Sequence, residues 1–62
     1  MSADATGREI DALLREADRL TREAAGLERA GDHWASARLE QDAERLRRMA
    51  DDHAAEIAER SR

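Results

Sequence analysis

His53 has the neighbours that metal or proton chemistry would need, since Asp52 and Glu56 lie close by in the sequence and imidazole and carboxylate are common ligands of divalent cations. A metal site would require two copies of the chain, because the Glu-x-x-His spacing of carboxylate-held metal bundles is absent: position 50 is Ala. The alternative is a partly buried histidine whose ring needs a hydrogen-bond partner, making its surroundings sensitive to pH between about 5 and 7. Nucleophilic catalysis has no foundation: Ser2, Ser36 and Ser61 have no evident base partner, and the chain has no cysteine. Gly7, Gly26 and Gly31 compose no phosphate loop. All 11 cations are arginines; Arg45, Arg47 and Arg48 form the densest run, and Arg38, Arg45 and Arg48 are the residues a nucleic-acid contact would use. Glu9, Glu16 and Glu23, with Asp42 and Glu56, form an acidic stripe that either grips a basic peptide or cation or is a solvated face neutralised by neighbouring arginines. Trp34, the only aromatic residue, reads as a recognition anchor or as a plug over the end of a bundle. The expectation is a chain with no catalytic residues and no cofactor.

The elements that must carry these residues are helices. Three seven-residue segments repeat from Arg8 to Glu28 (REIDALL, READRLT, REAAGLE), which is the coiled-coil period. They align Ile10, Ala17 and Ala24 at one seam position and Leu13, Leu20 and Leu27 at the other, on one side of a helix. Thr6-Gly7-Arg8-Glu9 fits a capping box, leaving residues 1–5 as a frayed lead. Gly31 suits the left-handed position after a last turn, and Asp32 is a good N-cap. A second stripe follows: Leu39, Ala43, Leu46, Ala50, His53 and Ile57, with no helix breaker after it. The spacing therefore predicts one all-α domain over 6–60, with helices at about 7–30 and 33–60 joined by a turn at 31–32.

So short a turn makes the helices antiparallel, with facing residue numbers summing to about 63. Small then meets large: Ala24 with Leu39, Leu20 with Ala43, Ala17 with Leu46, Leu13 with Ala50, and Ile10 with His53. A coiled-coil-like hairpin with an Ala/Leu seam is the expected unit.

One seam on 62 residues buries too little apolar surface for independent stability, so self-association or a partner is expected. Leu14, Met49, Ala54 and Ala58 lie beside the seam and would widen it at the end away from the turn. With Trp34, they are the predicted oligomer or partner contacts, and two hairpins would make a four-helix bundle. Aromatic content of 2% and the absence of cysteine exclude a β-sandwich and a disulfide scaffold. No apolar run suits a membrane span and no secretory signal is visible, so the expected location is cytoplasmic. The net charge of −4 opposes broad affinity for nucleic acid, and the all-arginine, alanine-rich composition reflects GC-rich coding, as in many bacteria.

In its length, mid-chain turn and small-against-large seam, and in the string Asp52-His53-Ala54-Ala55-Glu56-Ile57, the chain resembles the Rop family of plasmid regulators. That likeness implies a homodimeric four-helix bundle and, as an alternative function, binding to paired RNA loops. Ala30-Gly31-Asp32-His33, with Ala43 twelve residues after the glycine, also resembles the helix junction of tetratricopeptide modules. The leading expectation is a non-enzymatic interaction or regulatory module that self-associates and presents a charged helical surface to a protein partner. A nucleic-acid regulator comes second, and a metal-binding bundle centred on His53 third.

Overall fold

The computed structural model describes residues 3–61. Two helices, α1 (Ala3–Arg29) and α2 (His33–Arg60), pack against each other as a hairpin. It is a rod of 47 × 15 × 13 Å.

The turn forms as its residues dictate. Gly31 has φ +89°, a left-handed conformation that costs an L side chain about 1 kcal/mol or more. There its N–H donates to the Glu28 carbonyl at 3.0 Å, while the Asp32 N–H donates to the Leu27 carbonyl at 2.9 Å. This pair of bonds is a Schellman closure, which satisfies the last carbonyls of α1. Asp32 then caps α2, its Oδ1 accepting from the Ala35 N–H at 3.2 Å. At the far end Ser61 closes α2 by donating from both N–H and Oγ to the Ile57 carbonyl.

The start of α1 differs from the capping-box expectation. The helix is already formed at Ala3, so Thr6 stands inside it; Met1 and Ser2 lie outside the described residues. Helix-favouring Ala3 and Ala5 permit this extension without the Thr6 cap.

All twelve predicted seam residues are buried or partly buried. The innermost side chains are all small: Ala17, Ala24 and Ala43 are fully buried, with Ala50 and Ser36 nearly so. These recur every seven residues, at 17 and 24 in α1 and at 36, 43 and 50 in α2. No large side chain is fully buried among the described residues, and Ile10, Leu13, Leu20, Leu27, Leu39, Leu46, His53 and Ile57 are all partly buried. Small residues at these positions permit a close approach of two helices, and by register the leucines are displaced to one side of that row.

Candidate interaction surface

The heptad register explains the displacement. Measured around a helix, positions four after the small residues lie on one side of the seam and the leucine positions lie on the other. The hairpin thus has two unlike flanks.

On the leucine flank, Leu13, Leu46, Met49 and His53 line an open groove of about 360 Å³ with Ala12, Glu9 and Glu16. Its lining comes from both helices, with Glu9, Ala12, Leu13 and Glu16 from α1 and Leu46, Met49 and His53 from α2. Met49 is 43% exposed there. The acidic rim is partly held in place: Arg19 donates from Nε to Glu16 at 3.0 Å and also bonds Glu23. That hydrogen bond keeps the Glu16 carboxyl below the usual range against a smaller opposing effect of desolvation, and the guanidinium charge adds a still smaller lowering.

The opposite flank carries a polar contact. Arg47, half-buried, donates to the Thr21 hydroxyl at 2.7 Å across the helix pair and lies 3.9 Å from Asp18. Neither contact was visible as a pairing in the sequence; the signal that would have found it is the equivalent heptad position of Thr21 and Arg47, beside the small residues on each helix. Leu14, Thr21 and Ala54 share this flank by register. The exposed residues Leu14, Met49, Ala54 and Ala58 therefore do not make a single widened stripe: only Met49 joins the leucine groove.

At the turn Trp34 is 73% exposed, with the Arg38 guanidinium 5.4 Å from its ring centroid. It does not plug the end of the hairpin, because helix α2 begins at His33 and carries the indole outward. His33 is tied instead to Glu28, Nδ1 to Oε2, at 2.7 Å. Arg45 and Arg48 line a surface depression together with Glu40 and Glu44, so they sit among acids, while Arg38 is stacked on Trp34. No single basic surface gathers Arg38, Arg45 and Arg48.

His53 lies 3.5 Å from Glu56, Nδ1 to Oε1, and among the described residues no three His, Asp or Glu side chains converge as metal ligands. Nor is any described helix long and apolar enough to cross a membrane. Set against protein-family models, curated proteins and solved structures, the chain finds no match.

Proposed function

We propose that the chain is a non-enzymatic interaction module that self-associates through its leucine flank, building a four-helix bundle, and presents its charged outer surface and Trp34 to a protein partner. The observation that carries this reading is the incomplete burial of the leucines that line one flank. Leu13, Leu20, Leu27, Leu39 and Leu46 share one flank by register and are only partly buried, Met49 beside them is 43% exposed, and the fully buried side chains are all small. A helical pair with this division leaves part of its apolar surface facing water.

The surface area supports the same conclusion. The chain exposes 4938 Å², where a compact monomer of 7.0 kDa would expose roughly 4,000 Å². The excess is on the order of the roughly 800 Å² per partner that a standard protein interface removes. Trp34 and Arg38, exposed and stacked at the turn, have the residue types that anchor protein interfaces.

Sedimentation equilibrium, with circular dichroism at the same concentrations, tests the proposal. A helical dimer that dissociates on dilution with loss of helicity is expected. A fully helical monomer at all accessible concentrations would overturn it.

A further inference from the structure

Met49 is the large apolar side chain of the leucine flank that water reaches most. It is 43% exposed and lines the groove between the helices with Leu13 and Leu46, both partly buried. It also lines a second open depression, with Asp52, Ala55 and Glu56. A small solute can therefore approach the thioether from two sides. With no cysteine in the chain, Met49 carries the only sulfur among the described residues.

From this placement we infer that Met49 is an oxidation site, at which a small peroxide turns the apolar centre of the leucine flank polar. The inference rests on the self-association proposed above and adds its control. The Sδ lone pair takes one oxygen of the peroxide as the O–O bond breaks; the other oxygen leaves and collects the released proton. For hydrogen peroxide the products are one sulfoxide and one water, the sulfur being oxidised by two electrons and the peroxide reduced by two. The new oxygen is a hydrogen-bond acceptor among side chains that offer it little. Leu13 and Leu46 are apolar, Glu9 and Glu16 are themselves acceptors, and Arg19 is engaged by Glu16 and Glu23. The one donor in the lining of the groove is the His53 ring, whose Nδ1 lies 3.5 Å from Glu56. In the single hairpin water satisfies the sulfoxide. Covering the flank removes that water, so the oxidised chain gains less from association. The coupling is reciprocal: a covered flank shields Sδ, so the dissociated chain is the form that reacts, and its oxidation then holds it apart.

Oxidation and association can be followed on the same samples. Trypsin cuts after Arg48 and Arg60 and isolates Met49 in one peptide, apart from Met1. When the chain is exposed to hydrogen peroxide, the gain of one oxygen atom on that peptide should slow as protein concentration rises through the range in which sedimentation shows a dimer forming. The fully oxidised chain should have a dissociation constant about tenfold or more above that of the untreated chain, with helicity at saturating concentration retained. Treatment with methionine sulfoxide reductase should restore association, which irreversible damage to the fold would not allow. Met49→Leu, with no sulfur on the flank, should have a dissociation constant that peroxide does not move. A dimer whose Met49 reacts equally fast at every concentration, whose dissociation constant is unmoved by full oxidation, or whose Met49→Leu form responds as the wild type does, would overturn the inference and leave self-association standing. A monomer at every concentration before oxidation would remove both.

Discussion

The two flanks of the hairpin begin from neighbouring residues and end in opposite chemistry. Leu20 and Thr21 are adjacent in α1, yet the first contributes to the leucine flank and the second receives the Arg47 guanidinium on the other side. What separates them is the row of buried small residues between. Because Ala17, Ala24, Ser36, Ala43 and Ala50 allow close approach, the large side chains on one side cannot reach across to the other. One flank carries a polar contact within the chain, and the other carries the partly buried leucines and the exposed Met49. Which neighbour is small decides where a hairpin is self-sufficient and where it is not.

Breaking the separating row should have the largest effect. Ala43 is fully buried, so Ala43→Leu forces a branched side chain into the closest contact between the helices and should destabilise the fold by about 3 kcal/mol. A fall in melting temperature of more than about 10 °C at fixed protein concentration is expected from calorimetry or circular dichroism. An unchanged melting curve would mean that the helices are not held together at Ala43.

The adjacent pair sharpens the contrast. Leu20→Ala should cost about 2 kcal/mol, near the low end for leucine truncation because the side chain is half-exposed in the single hairpin, and should also weaken self-association. Thr21→Val keeps the volume and removes the acceptor for Arg47; with the guanidinium half-exposed, a loss of about 1 kcal/mol is expected. Its dissociation constant should be that of the wild type. The coupling between Thr21→Val and Arg47→Ala, measured as a double-mutant cycle in chemical denaturation, should account for most of that loss. Equal effects of Leu20→Ala and Thr21→Val on dissociation would erase the distinction between the flanks.

Much of the hairpin was legible because it is written in local chemistry. Gly31 and Asp32 specify a turn by backbone conformation and capping, and their effect does not depend on distant residues. The seven-residue repeat likewise selects the seam. It does not say which of its two positions lies deeper. Pairing Ala24 with Leu39 or Ala17 with Leu46 treats both as equally central, whereas the close approach of the axes favours the set that is small on both helices, including Ser36. Arg47 escaped notice for a related reason: a long side chain can cross to Thr21 at a residue-number sum of 68, outside the register of Cβ positions. Thr6 misled because a residue well suited to start a helix need not do so when alanines precede it.

Trp34 lies at the end of the rod, away from the middle of both flanks, and its effect on stability should be small. With the indole 73% exposed, Trp34→Ala should change unfolding free energy by no more than about 0.5 kcal/mol, mainly through loss of the stacked Arg38. Helicity and dimerisation should both persist. A large loss of helicity would instead show that the indole supports the packing of the turn.

The smallest expected effect concerns the acidic rim of the leucine flank. Glu16 accepts a hydrogen bond from Arg19 and feels its charge, so its carboxyl titrates lower in the folded chain than in the unfolded one. A lowered folded-state value means that the associated stabilisation is present above the ordinary carboxylate range and disappears as pH falls through the lowered value. Because the pair is solvent-exposed, salt should weaken it, and the global melting temperature is an insensitive measure. Side-chain carboxyl chemical shifts during an acid titration are better: Arg19→Gln should move the Glu16 midpoint upward toward its ordinary value, with the backbone shifts of the Arg47 flank unchanged. No upward movement would mean that Arg19 does not hold Glu16 in solution, and the rim of the groove would then carry more unneutralised charge than the ion pair implies.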